Sequence, residues 1–340
     1  MGIYLDNGYL NIRYCLKYAC PFTFIIGGRG TGKTFGAQLT CIEDGKIYML
    51  MRRTQAQSDL ISKPDFSPVN PVLEYLGRTA RITSASKYNG VIYSAPFSES
   101  EDYTLHGYTS ALSTFSNLRG FDGSNIDILI FDEFIPERHE RALKHEEDAF
   151  FNVIETIGRN RELYGKPPLI SLCLSNSNSL ASPILSALGL VKVLERMQDK
   201  GQSEYINRER GIAIFLLHDS PISKQKSQTA LYRATANTNF SRMALSNEFA
   251  YDDMSDVRSI PLNSGWKLYI RLGDMFIYQK SGKWYISRHC AGNPGKEYDL
   301  TDIGIRKFVK DFPGSYQRIL NHKIIYEDFS LKSCFTSIFI

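Results

Sequence analysis

The sequence predicts an α/β fold built on a parallel sheet, and three observations predict it. Strand-length apolar runs recur at residues 22–26, 47–51, 126–131, 169–174 and 212–217. Each is nearly continuous in apolar character, which suits strands buried on both faces. Helix patterns fall between them at 33–43, 146–164 and 183–200, and strands alternating with helices make a parallel sheet covered by helices. A glycine-rich junction, residues 27–34, joins the first strand to the first helix.

In chain order, the run at 22–26 is rich in aromatic and β-branched residues, as strands are. The pattern changes at residues 81–94, where Asn89-Gly90 lies between β-rich flanks. An Asn-Gly pair favours a two-residue hairpin turn, so a β-hairpin is expected between the second run and the third. From 219 to 256 Ser, Thr, Asn, Lys and Gln dominate, which reads as a polar linker with short helices. Residues 266–285 alternate in strand fashion around turns at Gly273-Asp274 and Ser281-Gly282, an antiparallel meander. Residues 301–311 read as a helix. The expected organisation is an α/β domain over 1–220, a helical linker over 221–257 and a small α+β domain over 258–340.

Composition bounds the function. At roughly 100–200 residues per domain, 340 residues suggest two domains and a core that needs no disulfide or metal staple. Forty Lys and Arg against 36 Asp and Glu leave a charge of +4, which permits nucleic-acid binding without announcing it. No stretch approaches the roughly 18–20 apolar residues of a membrane span. Residues 1–10 lack a basic region followed by an apolar core, so neither a secretory signal nor a membrane partner is expected. Six cysteines are sparse, and the one close pair, Cys15 and Cys20, completes no zinc pattern.

Gly27-Gly28-Arg29-Gly30-Thr31-Gly32-Lys33-Thr34 matches G-x-x-x-x-G-K-[ST] in full, between a buried strand and a helix. Glycines let the backbone curl so that successive N–H groups face a phosphate, and the helix N-terminus adds partial positive charge. Lys33 is expected on the β- and γ-phosphates, and Thr34 on Mg²⁺. The run 126–131 then ends in Asp132-Glu133. At the end of a strand facing the nucleotide, Asp132 would hold the Mg²⁺ shell, in part through water, as a Walker B Asp does. Glu133 would act as general base toward water. No N/T-K-x-D guanine motif follows, so ATP is the expected nucleotide.

Further residues are open to two readings. Ser175-Asn176 ends the fourth strand, where Asn176 either senses the γ-phosphate or caps the strand. Arg159 and Arg161, at a helix end, either satisfy carbonyls there or reach a neighbouring subunit's phosphate. Arg119 is a basic loop residue that solvation alone would explain. Arg29 is expected to bind phosphate or to pair with Glu133, holding that base from water.

Four segments in order carry a resemblance: Phe24-Ile25-Ile26-Gly27-Gly28-Arg29-Gly30-Thr31-Gly32-Lys33-Thr34, Ile130-Phe131-Asp132-Glu133-Phe134-Ile135, Arg159-Asn160-Arg161-Glu162 and Cys173-Leu174-Ser175-Asn176. Together they resemble the DNA-packaging ATPases of phi29-like tailed phages. The likeness covers residues 1 to about 220 and continues more faintly through 241–249. It implies an additional-strand (ASCE, RecA/FtsK-like) P-loop ATPase domain, a short helical linker and a C-terminal domain resembling a degenerate RNase H-like fold. It implies a homopentameric ring in the host cytoplasm, docked on the portal at one procapsid vertex and driving double-stranded DNA inward at the expense of ATP. Some members also use a structural packaging RNA. By the same resemblance Arg159 is a trans-acting arginine finger. Arg119 stands where a second trans-acting residue, often Lys, is found, a change that keeps charge but alters geometry.

The C-terminal strands carry no acids in 266–270 or 276–280, so no nuclease activity is expected. Lys267, Arg271, Lys280, Lys283 and Arg288 alternate there with aromatics, either to track phosphates or as a solvated face. The expected activity is ATP-driven DNA translocation. The alternatives are a helicase or partitioning ATPase, whose short signatures are not evident, and a nucleotide-gated binding protein, against which intact Lys33, Asp132 and Glu133 argue.

Overall fold

The computed structural model describes residues 2–87, 89–96, 103–118, 120–137, 140, 143, 145–177, 179–218, 220–246, 249, 252–262 and 265–339. The chain forms two compact units: Met1–Ile184 with Arg196–Tyr251, and Leu185–Glu195 with Asp252–Ile340. The boundary expected at 220/221 does not separate units, because residues 221–251 pack with the first.

The first unit holds nine strands: β1 (Phe22–Gly27), β2 (Tyr48–Arg52), β3 (Arg78–Ser86), β4 (Asn89–Pro96), β5 (Thr104–Ala111), β6 (Ile128–Asp132), β7 (Ile170–Ser175), β8 (Glu204–Asn207) and β9 (Ile212–Leu217). Their order across the sheet is β3-β4-β5-β2-β6-β7-β1-β9-β8. The six central strands, β5 to β9 in that order, are parallel, and β4 and β8 run antiparallel to their inner neighbours. The five apolar runs are β1, β2, β6, β7 and β9. Their burial on both faces explains the absence of polar alternation: every residue of β6 and of β9 is buried.

This order positions the site. β7 lies between β1 and β6, so an additional strand separates the glycine-rich loop from the paired carboxylates. Register aligns Ile26 with Ser175, Leu174 with Asp132 and Phe131 with Met51. The C-terminal ends of β1, β7, β6 and β2 therefore open on one edge of the sheet, where ligands bind in open α/β sheets.

Three local expectations change. The hairpin exists, but Asn89-Gly90 begins β4 instead of forming the turn, with Ser84 paired to Gly90. Gly90 is required by close approach: a Cβ there would meet Thr109 Oγ1 at 2.8 Å. The helix read over 146–164 ends at Gly158, and residues 161–164 form a separate 3₁₀ turn. The helix read over 183–200 is two, Pro183–Ala187 and Val191–Asp199, broken at Gly189 with φ +67°.

The second unit is α+β. Its strands are β10 (Lys267–Leu272), β11 (Met275–Lys280), β12 (Lys283–Ser287), β13 (Lys296–Tyr298) and β14 (Ile324–Tyr326), in the order β13-β10-β11-β12-β14. The antiparallel meander β10-β11-β12 gains a parallel strand at each edge. Ile270, Leu272, Ile277, Trp284, Phe308 and Phe335 build the core on one face. Among the described residues no helix is long and apolar enough to cross a membrane.

Candidate active site

The loop after β1 curls back through Gly30 and Gly32, whose φ values of +69° and +85° lie in the left-handed region that glycine tolerates. Gly32 is the N-cap of the helix Lys33–Glu43, whose first N–H groups have no intrahelical acceptor and face an anion readily. A cavity of about 340 Å³ lies over this loop, bordered also by Asp132, Glu133, Ser175 and Asn176. A larger one, about 540 Å³, lies between residues 112–116 and the helix Glu146–Gly158, and holds no glycine-rich loop.

Lys33 is buried, and its Nζ donates to Gly28 O (2.8 Å), Gly27 O (3.0 Å) and Asn176 Oδ1 (3.3 Å). Asn176 thus comes to the glycine-rich loop. Burial pulls the Lys33 ammonium down to about 8, and Asp132 opposes that shift. A bound polyphosphate favours the ammonium, so above that pH binding must take up a proton. MgATP affinity is expected to fall as pH rises from 7 through about 8 to 9.5, approaching about tenfold per unit. Calorimetric titration across that range checks it, and a flat profile would contradict it.

Thr34 Oγ1 donates to Asp132 Oδ2 at 2.9 Å, bringing together the two expected Mg²⁺ ligands. Asp132 is buried, and burial raises its pKa while Arg52 opposes the rise. Arg52, at the end of β2, spans both carboxylates: Nη2 lies 2.9 Å from Asp132 Oδ2 and Nη1 donates to Glu133. The two acids differ sharply in access, with side chains 5% and 48% exposed. Glu133 also has φ +58°, uncommon for a residue other than glycine and characteristic of functional sites.

The expected pairing of Arg29 with Glu133 does not occur. Arg29 pairs with Glu137, and Arg52 takes Glu133. The reason is sheet order: β2 is the direct neighbour of β6 and presents its terminal arginine to the end of that strand. The next residue, Arg53, is buried and grips buried Glu146 through Nε (2.7 Å) and Nη2 (2.9 Å). Removing one partner of such a buried pair costs about 3–5 kcal/mol, so the start of the helix Glu146–Gly158 is firmly anchored.

Arg159 follows that helix with φ +43° and ψ −137°. Its guanidinium donates to Phe121 O at 3.0 Å, while Arg161 donates to Ile126 O at 2.7 Å. Ile126 precedes the start of β6, whereas Asp132 ends it. Six residues at about 3.3 Å each put Ile126, and with it the Arg161 contact, roughly 20 Å from Asp132; Gly158, which precedes Arg159, lies at the same end of the sheet, where a Cβ on it would be 3.9 Å from Leu169 Cβ. Arg159 therefore lies away from the carboxylates of its own chain. Arg119 lies outside the described residues.

Sequence reasoning missed Arg52. A signal existed, since a basic pair, Arg52-Arg53, directly follows an apolar run. It missed Lys226, whose Nζ donates to Arg29 O and which no local pattern marks. Of the C-terminal basic residues, Arg271 lies 5.9 Å over the Phe276 ring. Arg271 pairs with Glu297 and Arg288 with Asp274, while Tyr278 and Tyr285 are buried in the core.

A family profile described as Podovirus DNA encapsidation protein (Gp16) matches residues 6–291. The DNA packaging protein of Bacillus phage B103 is 26% identical over 255 residues, 71% of this chain and 68% of that protein. That of Bacillus phage phi29 is 25% identical over 250 residues, 72% and 67% of the two. Among solved structures, a chain of the bacteriophage Phi-29 viral genome packaging motor assembly superposes with a TM-score of 0.68 at 19% identity. That superposition covers 97% of this chain and 98% of the other, so the fold is shared across nearly all of both. With a profile match spanning most of its length, this chain belongs to the podovirus DNA encapsidation protein (Gp16) family.

Proposed function

We infer that the protein is the ATPase of a phage DNA-packaging motor, hydrolysing ATP to translocate double-stranded DNA. The observation that supports this most is convergence: in a chain of this family, the phosphate loop, the Thr34–Asp132 pair and Glu133 meet at one sheet edge. The loop N–H groups and Lys33 bind the phosphates. Thr34 Oγ1 and Asp132 Oδ2 are hard oxygen donors, which suits Mg²⁺; that ion, when bound, neutralises charge on the phosphate oxygens. Glu133 takes the proton of the attacking water, for which its carboxylate must part from Arg52. Arg159 acts on the site of a neighbouring subunit, which accords with its distance from its own. The working form is then a ring, of which a homopentamer on the portal is the family arrangement.

Nuclease chemistry is not part of this reading. The buried acids of the second unit are already engaged: Glu327 by Ser287 Oγ, Arg288 N and Lys192 Nζ, and Asp328 by the first turn of the helix Phe329–Ser337. The test is ATP turnover with and without double-stranded DNA. Several-fold stimulation is expected, insensitive to sequence and falling steeply with salt because phosphate contacts dominate. Equal rates with and without DNA would remove translocation from the reading.

A further inference from the structure

The helices after β9 bring cations to the phosphate loop that the mechanism above does not use. The helix Pro221–Lys226 ends on Lys226, whose Nζ donates to the main-chain carbonyl of Arg29. A Cβ on Gly30 would come within 2.6 Å of that nitrogen. Nζ therefore lies directly against Arg29 and Gly30, both of which border the nucleotide cavity. Tyr232 and Phe240 stack with centroids 6.0 Å apart and planes 12° apart. Lys226 Nζ sits 5.2 Å over the first ring and the Arg29 guanidinium 5.9 Å over the second. One aromatic pair thus steadies two cations beside the loop.

These charges are compensated unequally. Arg29 has Glu137, and Lys33 has Asp132 nearby. Among the described residues, Lys226 is in ion-pair contact with no carboxylate, and its charge helps depress Lys33. A half-buried cation beside two others, with a neutral carbonyl as its hydrogen-bond partner, favours a polyanion. The start of the loop lies with Asn176, because Lys33 Nζ donates both to Gly28 O, next to Arg29, and to Asn176 Oδ1, and Glu133 borders the same cavity.

We propose that Lys226 is a second phosphate-contacting lysine, acting in cis on the terminal phosphate of ATP and separating ATP from ADP. This rests on the nucleotide-site reading above. The experiment is calorimetric titration of the full chain with ATPγS and with ADP, both with Mg²⁺, for wild type, Lys226→Met and Lys226→Arg. Lys226→Met is expected to lose about tenfold in ATPγS affinity, the scale of one charge-assisted hydrogen bond. ADP affinity should stay within about twofold, because the group addressed is missing from it. Lys226→Arg should retain most ATPγS affinity. Equal losses for both nucleotides, or no loss for either, overturn the proposal. Wild type that binds neither nucleotide would instead remove the phosphate-loop reading, and this proposal with it. If Lys226→Met does not fold, Lys226→Gln, which keeps an amide donor for the Arg29 carbonyl, is judged by the same ratio.

Discussion

Replacing Glu133 by Gln is expected to lower ATP turnover by about 10²–10⁴-fold, the usual contribution of a general base. ATP binding should change by no more than about threefold, because in the proposed site MgATP is held by the loop, Lys33, Thr34 and Asp132. The adjacent acid should behave differently. Asp132 is buried and bonded to Thr34, so Asp132→Asn weakens the Mg²⁺-dependent part of binding. Glu133 is half-exposed and contacts Arg52, not Thr34, so its loss reports on chemistry. Single-turnover hydrolysis alongside equilibrium binding separates the two effects. Turnover within tenfold of wild type would show that another group takes the proton from water.

Arg159→Ala is expected to reduce turnover by about 10³-fold or more, as arginine fingers do, with nucleotide binding retained. The decisive form of the experiment mixes wild-type and variant subunits. With the arginine at the opposite end of the sheet from its own carboxylates, each variant subunit is expected to disable a neighbour's site. Activity should then fall faster than the variant fraction rises. Within the subunit the side chain makes one hydrogen bond, to Phe121 O on an exposed surface, worth about 0.5–1.5 kcal/mol. Loss of that bond lowers thermal stability slightly and leaves turnover per folded subunit intact. Unchanged turnover at every mixing ratio would therefore assign Arg159 this local role alone, and strictly proportional loss would confine its effect to its own subunit.

The parts of the site legible in the sequence are those with local causes. A glycine at positive φ before a helix start needs no distant partner, and Gly30 to Thr34 read correctly as a tight glycine-rich junction between a strand and a helix. Asp132 and Glu133 were legible because an all-apolar run cannot be a surface strand, and its end must face the sheet edge. Asn89-Gly90 misled as a turn because glycine serves two ends, left-handed backbone and close approach, and here Thr109 imposes the second. The helix over 146–164 read too long because its pattern continues past Arg159, where the backbone turns to positive φ.

Partner choice was not legible. Sequence reasoning has Arg29 binding phosphate or pairing with Glu133, and it overlooks Arg52. The pairing that forms joins residues 81 apart, Arg52 and Glu133, because β2 and β6 are neighbours in the sheet. Lys226 reaches Arg29 across 197 positions. Hydrophobic periodicity and glycine chemistry are properties of short segments, so the sequence alone determined the five apolar core strands, the glycine-rich loop and the acids that face it. Which cation meets which acid, and that Arg159 lies away from the carboxylates of its own chain, depend on strand order and on packing between distant segments. Those are settled by burial of the whole sheet, and only the tertiary structure decided them.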